Sequence, residues 1–160
     1  VRNQDDEYNY RIREAGGKIL LADDVRSTYY SRGSLSKLWK QYFGYGFWKV
    51  RVLQKHPRQM SLRQFTPLTF ILAILLSLLL TIIFPWGWFF LVGVLGAYLL
   101  ANLFAAYLTA KGKGFKVFCL LPPAFATIHI SYGLGFLIGL FKFWNRWGDK
   151  VGIVPSTKNH

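Results

Sequence analysis

The sequence predicts a mainly α-helical integral membrane protein: about three transmembrane helices, preceded by an interfacial helix and a short polar segment. Two observations carry this reading. Residues 65–110 contain no Asp, Glu, Lys, Arg or His, and residues 117–141 contain no Asp, Glu, Lys or Arg and a single His. A spanning helix needs roughly 20 apolar residues, so the first run suffices for two spans and the second for one. The charge is also polarised. Six of the seven acids precede Val25, and thirteen of the twenty Lys and Arg precede Phe65. A chain with net charge +13 can bind nucleic acid or an anionic membrane surface. The apolar runs decide for the membrane, and nucleic acid is not an expected partner. The single cysteine, Cys119, lies inside an apolar run, which leaves no disulfide framework and no zinc spacing.

Residues 3–15 read as a helix. Asn3 can cap it, Asp5, Asp6 and Glu7 sit in its first turn where the helix dipole favours negative charge, and Gly16-Gly17 ends it. Glu7 and Arg11 are spaced to pair at i, i+4. Residues 18–22 read as a short strand, Asp23-Asp24 as a turn rather than a metal-binding pair, and residues 25–31 as a second strand. From Ser34, a plain N-cap, residues 34–50 form an amphipathic helix with Leu35, Leu38, Trp39, Tyr42 and Phe43 at 3–4 spacing, weakened by Gly44 and Gly46. A basic helix with an aromatic face suits the membrane interface. Residues 51–64 form a basic connector broken at Pro57. The run from Lys49 to Arg63 is read as a headgroup-facing surface.

The spans follow at about 66–84, 88–110 and 117–141, giving a transmembrane region of 65–141 and a basic tail of 142–160. Pro85-Trp86-Gly87-Trp88 makes a turn at headgroup level between the first two. Pro122-Pro123 interrupts the third, which leaves open a full span or a broken, re-entrant helix. The positive-inside rule places residues 1–64 and the basic loop 111–116 together on the cytoplasmic side. Three full spans would then put the tail outside, against its Lys142, Arg146 and Lys150. His129 lies within the third span, near Tyr132, and an ionisable residue there is a functional candidate. Gly135 and Gly139 make a GxxxG suited to helix packing.

The order of the N-terminal motifs resembles the C-terminal end of the catalytic domain in membrane-bound family 2 glycosyltransferases. The pattern reads Asp5, Glu7, Arg11, Ala15-Gly16, Lys18 to Leu21, Tyr29 or Tyr30, Arg32 and Ser34, then an interfacial helix carrying Gln41, then the spans. The nearest look-alikes are non-processive bacterial enzymes that build exopolysaccharide repeat units on a lipid carrier, the succinoglycan biosynthesis type. The resemblance implies that residues 1–33 are a C-terminal remnant of a GT-A type α/β catalytic domain and that 34–64 are the interfacial helix and connector. It implies an inverting transfer from a nucleotide-sugar donor to a polyprenyl-linked saccharide, at the cytoplasmic face of a bacterial inner membrane. Asp5 takes the catalytic-base position, with Asp6 as the alternative if the register is off by one; Gln4 stands where many relatives have Glu. Arg32, Gln41 and Trp39 are acceptor or interface candidates. Processive relatives carry Gln-x-x-Arg-Trp where this chain has Gln41-Tyr42-Phe43-Gly44-Tyr45, which favours transfer of single sugars. A divalent metal, Mg²⁺ or Mn²⁺, is implied for the full-length enzyme. Its Asp-x-Asp ligands belong to a preceding catalytic part, so a chain starting at Val1 is expected to be inactive alone. The rival reading is a non-enzymatic membrane scaffold or transporter subunit.

Overall fold

The computed structural model describes residues 4–20, 22, 24–28 and 33–148. Five α-helices are built from them: α1 (Gln4–Glu14), α2 (Leu35–Lys55), α3 (Thr66–Ile83), α4 (Gly87–Ala110) and α5 (Phe115–Lys142). Short 3₁₀ turns at Pro57–Gln59, Leu62–Phe65 and Trp144–Arg146 join or follow them.

The polar end of the chain folds as its composition dictates. Asp5, Asp6 and Glu7 occupy the first turn of α1 and Arg11 and Arg13 the last, both favourable with the dipole. Gly16, at φ 78°, closes the helix. Its N–H reaches the Arg13 carbonyl at 3.0 Å, and the Gly17 N–H reaches the Ile12 carbonyl at 2.8 Å, the paired bonds of a Schellman cap. Among the described residues the two predicted strands are not found. Residues 18–20, 22 and 25–28 have no regular structure, because a strand exists only where a ladder partner accepts its N–H and C=O groups, and the described residues supply none. Leu21, Asp23 and residues 29–32 lie outside the described residues, while Asp24 sits at a bend.

Ser34 caps α2 as expected, its Oγ accepting from the Lys37 N–H at 3.3 Å. The helix then runs five residues beyond the predicted end at 50, and Gly44 and Gly46 do not interrupt it. Gly46 is needed for another reason. A Cβ there would fall on the Tyr132 carbonyl oxygen of α5 and 2.9 Å from the Phe136 nitrogen. The contacts climb in step along both helices. Gly135 meets the Phe43 backbone, and Gly139 would place a Cβ 2.6 Å from the Phe47 carbonyl oxygen. Thus α2 and the C-terminal half of α5 lie side by side and parallel, their backbones brought close by glycine. The predicted GxxxG packs as expected, and its partner is α2.

The apolar helices match the predicted spans within about two residues, and each is long and apolar enough to cross a membrane. Pro67 sits in the first turn of α3, where its missing N–H costs nothing. Gly87 lies against the Leu80 backbone, so the chain doubles back and α4 returns antiparallel to α3, Phe70 stacking on Tyr98 at 4.1 Å. Ile82, Leu100 and Phe104 remain 83%, 71% and 63% exposed on this hairpin, an apolar surface that water would penalise and lipid would not.

The predicted interruption at Pro122-Pro123 is not there, and α5 continues through both prolines. In apolar surroundings an unravelled turn would strand more backbone groups than the two N–H donors the prolines remove. Asn102 of α4 donates to the Pro122 carbonyl at 3.1 Å, and Tyr98 meets His129 Nδ1 at 3.1 Å. His129 therefore pairs with Tyr98 and acts as a polar staple between α4 and α5. Asn102→Leu is expected to cost about 1 kcal/mol, the usual worth of an interhelical hydrogen bond in lipid, read as a lower unfolding temperature in detergent.

The core lies where α2, α5 and the start of α3 meet. Phe136 and Val50 are fully buried there, with Leu68 and Phe143. Phe65 packs on Phe136 at 5.7 Å and Phe47 on Phe143 at 5.0 Å.

Candidate functional site

The site is assembled where α1 docks on α2. Along α2, Tyr42, Lys49 and His56 recur every seven residues, with Tyr45 between, so they share one face. This face looks back at α1 and its carboxylates, which corrects the reading of the whole run from Lys49 to Arg63 as headgroup-facing. Lys49 and His56 are buried, and Arg58 and Arg63 stay exposed. An isolated buried ammonium would be prohibitive, and the fold provides its counter-charge. Lys49 Nζ lies 2.6 Å from Asp6 Oδ2 and 5.8 Å from the Tyr10 ring centroid.

His56 is held in the same way. Its Nδ1 lies 2.9 Å from both Glu14 carboxylate oxygens, and its Nε2 lies 3.7 Å from Glu7. A carboxylate only accepts, so Nδ1 carries the proton. Glu7 also pairs with Arg11 at 3.1 Å, as its spacing predicts, and with Lys55 at 3.5 Å. Three of the acids on α1 are thus spent on holding the helix to α2. Lys49→Met is expected to loosen α1 by about 1–2 kcal/mol, a charged hydrogen bond discounted for the exposure of Asp6. Hydrogen exchange over residues 4–14 should speed up while α3 and α4 remain unchanged.

Asp5 is the exception. It is exposed, and among the described residues no hydrogen bond or ion pair engages it. It opens onto a cavity of about 390 Å³ between α1, α2, the start of α3 and the middle of α5, within the usual ~300–1,000 Å³ of small-ligand sites. Tyr42, Tyr45 and Tyr132 line it together with Lys49 and Arg63. The arrangement offers an unengaged carboxylate, flat amphipathic rings and two cations at the mouth of the α3–α4 hairpin. Asp5 and Asp6 both line this space, but Asp6 is committed to Lys49.

The other sequence candidates fall differently. Gln41 is not part of the cavity lining; it donates to the Tyr45 hydroxyl at 2.9 Å and so orients a residue that is. Trp39 is 38% exposed on α2 and is also absent from the lining. Arg32 lies outside the described residues. From sequence, Lys49 and Arg63 read only as the ends of a headgroup-facing run, and Tyr45 and Tyr132 carry no site role. The heptad spacing of Tyr42, Lys49 and His56 was the available signal for Lys49, and the step of three from Tyr42 that for Tyr45, whereas Tyr132 and Arg63 join only through tertiary packing. Among the described residues no three His, Cys, Asp or Glu side chains come together to hold a metal. The resemblance assigns the ligands of its divalent ion to a preceding catalytic part, not to these residues.

Comparison with known proteins gives one relative of note. Over 144 residues the chain is 33% identical to the succinoglycan biosynthesis protein ExoA of Rhizobium meliloti (strain 1021), a match covering 90% of this chain and 42% of that protein. The chain is a distant homologue of it and spans less than half its length. No family profile matches the chain, and no solved structure matches it.

Proposed function

We propose that this chain is the membrane end of an inverting family 2 glycosyltransferase, moving a sugar from a nucleotide-sugar donor to a polyprenyl-linked saccharide in exopolysaccharide synthesis. The observation that carries the proposal is Asp5, an unengaged carboxylate at a tyrosine-lined cavity beside the first apolar helix. The similarity to a succinoglycan biosynthesis protein supports the same reading. Asp5 accepts the proton of the acceptor hydroxyl while that oxygen attacks the anomeric carbon from the face opposite the nucleotide diphosphate. The carbon–oxygen bond to the diphosphate breaks, and the configuration inverts. The tyrosine rings supply flat surfaces and hydroxyls for a saccharide, and Gln41 fixes the Tyr45 hydroxyl. The lipid tail lies in the bilayer beside α3, and Arg63 faces its phosphates. In this reading α2 lies at the cytoplasmic surface of a bacterial inner membrane, Leu35 and Trp39 turned to lipid.

The test is transfer of label from nucleotide sugars into the solvent-extractable lipid fraction, using membranes that hold the full-length protein. Label should appear with wild type and vanish with Asp5→Asn. A protein that tolerates Asp5→Asn while still supporting polysaccharide export would instead be a scaffold or transporter subunit.

A further inference from the structure

We infer that α5 does not cross the bilayer. Both of its ends lie on the face that carries α1 and α2, so the chain crosses the membrane twice, and α2 with the C-terminal half of α5 forms a two-helix layer set into the lipid of one leaflet.

The argument begins with the α3–α4 hairpin. Gly87 on Leu80 and Phe70 on Tyr98 make these helices antiparallel, so α4 ends on the side where α3 began. The turn after Ala110, with Gly112 and Gly114 at positive φ, starts α5 there. At the other end of α5, Phe136 packs on Phe65, the residue just before α3. Further on, Gln54 of α2 donates to the Phe143 carbonyl at 2.8 Å, and Arg51 donates to the Arg146 carbonyl at 3.1 Å. The last turn of α5 is therefore bound to the part of α2 that holds α1 through Lys49 and His56.

An upright α5 would carry this seam with it. Lys49, Arg51, Lys55 and the carboxylates of Asp6, Glu7 and Glu14 would enter the hydrocarbon or pass through it, at heavy cost for each charge. With α5 lying in one leaflet, they stay at the surface. The side chains at the ends of α5 agree independently. Lys111 and Lys113 precede it, Lys142 ends it and Arg146 follows it, the distribution expected when both ends face the same, positive side. Trp144 and Trp147 are 69% and 50% exposed, as suits residues of the headgroup belt. At 28 residues and about 42 Å, α5 is longer than a span needs. Its exposed Phe115, Leu120 and Phe141 are the apolar face that such a helix presents to acyl chains. Residues 143–148 then share a side with the 111–116 loop, which removes the conflict that three full spans create for Arg146.

The test uses single cysteines in a Cys119→Ser background of the intact protein, in sealed inside-out and right-side-out vesicles treated with a membrane-impermeant maleimide. Trp86→Cys reports the α3–α4 turn, Lys113→Cys the start of α5 and Gly148→Cys the tail, with detergent-opened vesicles as the full-labelling reference. Gly148→Cys is expected to label in the same preparation as Lys113→Cys and to be protected where Trp86→Cys labels. Labelling of Gly148→Cys together with Trp86→Cys, opposite Lys113→Cys, overturns the inference while leaving the hairpin intact. Labelling of Trp86→Cys and Lys113→Cys from the same side overturns the membrane hairpin itself, and this inference with it.

Discussion

Replacing Asp5 with Asn in the full-length protein is expected to lower sugar transfer about 10²–10⁴-fold, the usual contribution of a positioned general base. The loss should fall on kcat, because the amide keeps the size and most of the polarity of the carboxylate and removes only its capacity to take a proton. Asp6→Asn is the informative comparison. Asp6 is bound to Lys49 at 2.6 Å, so its loss acts on the docking of α1 rather than on the acceptor hydroxyl. A lower melting temperature and a smaller fall in kcat are expected from it. The reverse ranking, with Asp6→Asn giving the larger kinetic loss, would move the base by one residue and leave the reaction class in place. Thermal unfolding beside single-turnover transfer separates the two effects.

Gly46→Val should have the largest effect on stability. A Cβ at this position coincides with the Tyr132 carbonyl of α5, a backbone atom that no rotamer change can move aside. Overpacking of this kind costs typically ~1–3 kcal/mol and sometimes more, and a rigid helix-to-helix clash belongs at the upper end. Because Tyr45 and Tyr132 both line the cavity, forcing α2 from α5 should also widen it and reduce transfer. Gly93→Ala is the control. It faces open space inside α4, so a methyl there should not lower the unfolding temperature, which the relief of glycine's helix entropy can only raise, and should leave transfer unaltered. A Gly46→Val protein that melts like wild type would disprove the close contact between α2 and α5.

The positions of the helices were largely legible in the sequence because their causes are local. Charge-free runs, the Pro67 and Pro85 punctuation and the acids of the first turn of α1 act within a few residues of themselves. The errors share a different physics. The strands predicted after Gly17 are absent from the described residues because strand pairing is a property of two segments, and a propensity read along one of them cannot provide the second. Gly44 and Gly46 read as weak points in a helix, since an isolated helix pays for glycine in entropy. Against α5 the same absence of a Cβ lets two backbones meet. The prolines of α5 read as a break, and the apolar surroundings with an Asn102 bond kept the helix whole. Lys49 and His56 read as surface groups because nothing in their own neighbourhood supplies an anion; Asp6 and Glu14 lie more than forty residues away.

What the sequence determined by itself was where the helices long and apolar enough to cross a membrane lie. Two stretches without charge and a basic lead-in dictate helices that satisfy their own backbone within lipid, and an ordered set of short motifs pointed to Asp5. The tertiary structure alone decided which carboxylate pairs with Lys49, which stays unengaged among the described residues, and which face of α2 is buried. These depend on electrostatic pairing across distant segments, and a buried charge is tolerated only where the fold brings its partner within reach.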